Sequence, residues 1–148
     1  MSAPPIGYTT TLLVGLAELL AAEGVGVYDP AAVIPPGSTG IFRGAMPPDP
    51  DRAVALTAYP VEDGGGLDAI TGVQARMRAG RDPGAVDDLA DHVFAVLHMR
   101  EHVALGPVHV ALAWRQSQAW IGLDSRQRME LTANYYLRTV RPGPHQHE

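Results

Sequence analysis

His98, Glu101 and His102 stand in the order H-x-x-E-H. This is the inverted zinc-protease pattern, in which two histidines on one helical face hold the metal and an adjacent glutamate acts as base. By letter the match is complete; its surroundings oppose it. The pair falls where a helix runs out toward Gly106-Pro107, and the chain beyond is strand-like, with no helix to bring a third acidic ligand. A small zinc-dependent hydrolase is therefore the alternative from a different functional class. His145 and His147 lie beside Gly143 and Pro144 at the C-terminus, in a tail expected to fray over 142–148, where nothing would orient them around a metal. His92 and His109 are isolated on polar faces.

Other chemistries find less. Asp87, Asp88 and Asp91 are the nearest approach to paired carboxylates, but they share a solvated helical face without an apolar pocket to raise one pKa. Gly24-Val25-Gly26 and Gly64-Gly65-Gly66 lack phosphate-loop spacing, and the chain has no lysine to reach a phosphate. Serine occurs only at 2, 38, 117 and 125, never in a nucleophile elbow. The absence of cysteine excludes disulfide frameworks, thiolate metal sites and Cys nucleophiles. The sequence offers no catalytic constellation and no cofactor or metal site, and it reads as a non-enzyme.

The 148 residues suit one domain with one core. Eleven basic residues, all arginine, face 16 acidic ones for a net charge of −5. Up to Gln74 two arginines meet eight acids; beyond it nine meet eight. No basic stripe exists to neutralise phosphates, so tight nucleic-acid binding is not expected. The longest apolar run, within Thr11 to Ala22, is interrupted by Gly15 and Glu18 and is too short to span a bilayer. The chain is expected to be made in the cytoplasm without a membrane segment.

Thr9, Thr10 and Thr11 offer N-cap hydroxyls to a helix whose stripe is Leu12, Leu13, Leu16, Leu19 and Leu20 and which ends near Gly24. Val25, Val27 and Tyr28 suggest a short strand. Residues 30–51 form a long proline-rich loop with Ile41 and Phe42 as its apolar island, and long loops of this kind are usually functional. Arg52 to Tyr59 reads as a strand closed by Pro60, and Val73, Ala75 and Met77 mark a second strand across a glycine-rich connector. Asp82-Pro83 opens a second helix, with Val86, Leu89, Ala90, Val93, Phe94 and Leu97 on its apolar face. Val108, Val110, Leu112 and Trp114 alternate, a polar turn follows, and short strands lie near Trp120 to Leu123 and over Met129 to Leu137. The order predicts an α+β fold, an antiparallel or mixed β-sheet with the two amphipathic helices packed on one face. Val54, Leu56, Val73, Met77, Val110 and Leu112 are the sheet's expected core.

The outside of that sheet is the unusual part. Arg76 and Arg78 on one strand, Arg115 after another, and Tyr136 and Arg138 on the last make an exposed set of the types favoured where protein meets protein. Trp120 and the Ile41-Phe42 island add apolar anchors outside the predicted core. Together these eight residues are the candidate interface.

Arg52-Ala-Val-Ala-Leu-Thr-Ala-Tyr-Pro60, Gly72-Val-Gln-Ala-Arg-Met-Arg78, Asp82-Pro with Val86-Asp-Asp-Leu-Ala-Asp-His-Val-Phe94, and Asn134-Tyr-Tyr-Leu137 resemble the minor capsid or tail terminator proteins of long-tailed bacteriophages, especially those of actinobacteria. The resemblance runs from about Leu12 to Arg141. It implies a homo-hexameric ring in the virion that caps the head-proximal end of the tail tube, fixes tail length and meets the head-completion proteins. A head-tail connector or other neck ring is the neighbouring alternative. DNA would pass through such a ring without specific binding. Asp49, Asp51, Glu62 and Asp63 are then the acids expected to line or approach the lumen, where like charge keeps phosphate from sticking.

Overall fold

The computed structural model describes residues 7–146; His147, in the expected tail, lies outside them. The elements follow as α1 (Tyr8–Ala22), β1 (Val27–Tyr28), β2 (Gly40–Arg43), β3 (Ala53–Asp63), β4 (Asp68–Arg78), α2 (Pro83–Leu97), β5 (Arg100–Leu105), β6 (Val108–Leu123) and β7 (Met129–Val140). The strands form one mixed sheet in the order β1-β2-β3-β4-β7-β6-β5. β1, β2 and β3 run parallel, and every later pairing is antiparallel. This is the expected α+β architecture.

Both helices bury their apolar stripes on the same sheet face. α1 lies over β1, β2, β3 and β5 through Leu12, Leu13, Leu16 and Leu20, while α2 lies over β4, β6 and β7 through Val86, Leu89, Val93 and Val96. Each large side chain so covered is worth roughly 1.5–3 kcal/mol before conformational entropy opposes it. Gly15 sets how close α1 can come: a Cβ there would lie 2.7 Å from the Leu105 carbonyl carbon. The Tyr8 hydroxyl fastens the helix start, hydrogen-bonded to Thr71 Oγ1 at 2.8 Å and Thr139 Oγ1 at 2.6 Å. α2 opens as expected, with Asp82 Oδ1 accepting from the Gly84 amide at 3.0 Å and Pro83 at the first helical position.

Four details depart from the sequence expectation, each for a local reason. The cap of α1 is Gly7 without a side-chain bond, and the three threonines lie inside the first turn. Residues 30–51 are not one loop, because Gly40–Arg43 adds a parallel strand beside β3; Ile41 and Phe42 are therefore buried. Pro60 does not end β3, since a bulge between Pro60 and Glu62 carries the strand to Asp63. The polar stretch after Trp114 is not a turn: β6 continues for 16 residues through register shifts near Val110, Arg115 and Trp120. The first of these shifts moves Leu112 to the outer face and puts Ala113 in the core.

Arginines close the lower end of the sheet. Arg78, expected on an exposed face, is 4% exposed. Its guanidinium donates to the carbonyls of Asp51, at 3.1 Å, and of Pro50. Arg128 donates to the Pro48 carbonyl at 2.6 Å, to Asp124 Oδ2 at 2.8 Å and to Asp51 Oδ1 at 3.1 Å. The 44–52 connection thus folds over the outer face here and is held mainly by its backbone carbonyls. Burial and the neighbouring Arg128 lower the pKa of Arg78. The hydrogen bonds to Asp124 and Asp51 overcome burial and raise that of Arg128.

Arg128→Ala should cost about 2 kcal/mol in urea denaturation, because it removes the shortest donor to the Pro48 carbonyl and leaves Asp124 Oδ2 without its cation. Arg128→Lys should recover only part, for want of the planar fork. A second expectation concerns Tyr135, whose ring is fully buried and whose hydroxyl has no protein partner among the described residues. Burial pushes its pKa up to about 12, against 10.0 for an unperturbed tyrosine. The unfolded chain then ionises first, so the Tyr135 contribution is intact below pH 10 and is lost as pH climbs from 10 to 12. Tyr135→Phe should change stability at pH 7 by no more than about 1 kcal/mol and flatten that alkaline loss in pH-dependent melts.

Candidate functional site

His98 is the residue at which α2 ends, in extended conformation, and Met99 turns the chain at φ 59° into β5. His98 and His102 therefore share no helical face. The Nδ1 of His98 accepts from the Arg115 amide at 3.1 Å, and its ring stacks on Phe94 at 4.4 Å. His102 instead faces His109 across the β5–β6 hairpin, with Nδ1 and Nε2 3.4 Å apart. Among the described residues no three His, Asp or Glu side chains gather as a metal would require. The H-x-x-E-H match is a coincidence of letters spread over a helix end and a strand.

The candidate interface residues separate into three places. Arg76, Tyr136 and Arg138 lie on the sheet face away from the helices, as expected. Arg76 pairs with Glu130 at 2.8 Å, a carboxylate that is itself buried. One cross-strand row on this face runs Tyr59, Gly72, Tyr136, Trp114. Gly72 has no side chain because the Tyr59 ring occupies that space; a Cβ would clash with it. Trp114 meets Tyr136 edge to face at 5.8 Å. In the row below, the Tyr59 hydroxyl donates to Asn134 Oδ1 at 3.0 Å, and Asn134 Nδ2 donates to Ser117 Oγ at 3.2 Å. Burial and Tyr136 raise the pKa of Tyr59. Arg138 flanks it, exposed.

Arg115 and Trp120 are on the other face. The register shifts pair Arg115 with Tyr135 and Trp120 with Leu131, both of which point toward the helices. The Arg115 guanidinium lies over the Phe94 ring of α2 at 4.3 Å, which removes it from the outer set. Ile41, Phe42 and Arg78 belong to the interior, for the reasons given above. A simple two-residue alternation from Val108 could not anticipate the face of Arg115, because the bulge before it reverses the pattern; a second bulge restores it by Trp120.

Trp120 survives as an exposed anchor and gains neighbours. β5 pairs only with Val108 to Ala113 of β6, so the rest of β6 is a sheet edge with no partner strand among the described residues. Trp120, Ile121 and Leu123 on that stretch are 52%, 51% and 55% exposed. Large apolar side chains adjoining unpaired backbone form the kind of edge that monomeric proteins usually guard. The run Trp-Ile-Gly-Leu was visible as a short strand; its place at an open edge was not.

The four acids fall at the two ends of β3. Asp49 and Asp51 precede it and are bound by Arg126 at 3.2 Å and Arg128 at 3.1 Å. Glu62 and Asp63 end it, exposed. Strand residues 53–61 lie between the two pairs, roughly 30 Å. One channel can pass both only by running along β3.

The family described as bacteriophage tail terminator protein matches residues 19–141. No curated protein matches the chain. Among solved structures, a chain of the virion of a native gene transfer agent particle superposes with a TM-score of 0.56 at 17% identity, over 82% of this chain and 84% of that one. That likeness is one of fold. The family match spans most of the chain, including both helix-covered halves of the sheet, and on that ground this protein belongs to the bacteriophage tail terminator family and is a virion component of the phage tail.

Proposed function

We propose that the chain acts as a homo-oligomeric ring, of six copies, that caps the head-proximal end of the tail tube, sets tail length and offers its other surface to the head-completion proteins. The role is structural, with no reaction catalysed. The observation that carries the ring is the unpaired distal half of β6 with its three exposed apolar residues, a surface a solitary subunit would have no reason to keep. A neck connector would use the same surfaces with different partners; membership in the tail terminator family favours the tube end.

We further infer that DNA passes through the ring along β3. Of the four acids, Asp49 and Asp51 hold Arg126 and Arg128 and contribute little net charge, whereas Glu62 and Asp63 have no ion pair among the described residues. The repulsion of phosphate then falls mainly on Glu62 and Asp63. The double variant Glu62→Gln, Asp63→Asn should assemble normally and slow DNA ejection; ejection at the wild-type rate would remove these residues from the lumen. Asp51→Asn should instead lower stability through Arg128, with ejection unaffected in particles that form.

Mass measurement of the purified protein, with and without tail-tube subunits, tests the ring. Six copies, or a ring that appears on addition of tube, is the expected result. Particles lacking the protein should carry tails of irregular length that fail to join filled heads. Uniform tails on filled heads would refute the assignment.

A further inference from the structure

We propose that the free edge of β6 is the subunit contact, and that its Trp120 seats in a cavity at the opposite edge of the sheet in the next copy of this chain. The inference rests on the ring reading and adds to it the two surfaces that meet. An open sheet ends in two different edges, and joining one edge to the opposite edge of the next identical copy is head-to-tail, the type of contact that can close into a ring. The receiving edge carries a cavity of about 360 Å³ whose wall includes Tyr28, Pro30, Phe42 and Pro47, with the charged Asp29 and Arg43 beside them. An aromatic anchor entering a pocket is the usual centre of a protein interface; here the rings of Tyr28, Phe42 and the two prolines can meet the Trp120 face, and Arg43 can lie against its indole.

The backbone of that edge also has groups to offer. The Val27 amide donates to the Thr39 carbonyl at 2.8 Å, so by strand alternation the N–H and C=O of Tyr28 point away from β2. A second unpaired stretch on this side of the sheet, the end of β3 beyond β2, is guarded. The Leu56 carbonyl accepts from the Gly44 amide on the β2 side, and the alternation places the Pro60 nitrogen on that same side, where it has no hydrogen to donate. Glu62 and Asp63 add charge to it. A partner strand is repelled there and accepted beside Tyr28.

Trp120→Glu should leave the fold intact, since the side chain is half exposed, and raise the concentration needed for assembly by about 30-fold. In a Trp114→Phe background Trp120 is the sole tryptophan, and its emission should move to shorter wavelength on assembly. A benzophenone amino acid in place of Trp120 should, on irradiation, give covalent oligomers whose cross-links fall within residues 28–47 of a second copy. Cross-links to residues 116–123 would mean two-fold pairing of β6 with itself and overturn the proposal; so would cross-links to Val61 and its neighbours, or assembly by Trp120→Glu at the wild-type concentration. Cross-links to Val61 and its neighbours, or unaltered assembly by Trp120→Glu, leave the wild-type ring itself to the mass measurement. A wild-type chain that stays single at every concentration and with tube subunits present removes the ring reading itself, and this contact with it.

Discussion

The sheet's strands are unequal in length, and most of what distinguishes the molecule follows from that constraint. β6 has 16 residues and its outer neighbour β5 has six; β3 has 11 and β2 has four. Every residue of strand beyond a neighbour's end exposes backbone donors and acceptors that must go to water or to another chain. The helices cannot resolve this, because both lie on one face and α2 reaches β6 only in part. The two overhangs are treated differently. At β3 the missing Pro60 hydrogen, a bulge and two acids make the overhang soluble, while at β6 three large apolar residues do the opposite.

The lower end of the sheet shows a third treatment, in which the chain covers its own outer face. The 44–52 connection contains three prolines and so has few amide hydrogens to give, but its carbonyls are free. Arg78 and Arg128 supply donors in a fixed fork, which is how a proline-rich segment can be pinned without a ladder. The acids of this segment are consumed in the same arrangement, and side-chain exposure of 72% for Asp51 therefore overstates its free charge. The outer face is closed here and open above, where Tyr59, Tyr136 and Trp114 form the strip.

Sequence periodicity recovered the parts of the fold whose geometry is regular. α2 was legible in full because Asp82, Pro83 and the apolar spacing are local signals, and the core face of β7 followed from strict alternation. β2 escaped notice since four residues between prolines carry no period, and only pairing with β3 makes them a strand. β6 was broken into pieces at its bulges, which insert a residue without any distinctive letter. The same bulges explain the interface assignments. Arg76, Tyr136 and Arg138 lie on unbulged stretches and kept their expected face, whereas Arg115 lies beyond one shift and did not. Arg78 was misread for a different cause: the segment that buries it is 26 to 30 residues away, and nothing in the alternation of β4 announces a cover.

A contact as small as three apolar side chains per edge sits below what a stable dimer requires. In a closed ring the balance changes. Every copy then makes the contact twice, once with its β6 edge and once with the receiving edge, and the last copy to enter gains both without further loss of freedom to its neighbours. A modest edge can thus be nearly inert between two free subunits and still hold once a tube end gathers the copies in register. For a protein that must stop a growing tube, that is the useful regime, because an edge strong enough to pair freely would form rings before there was a tail to cap.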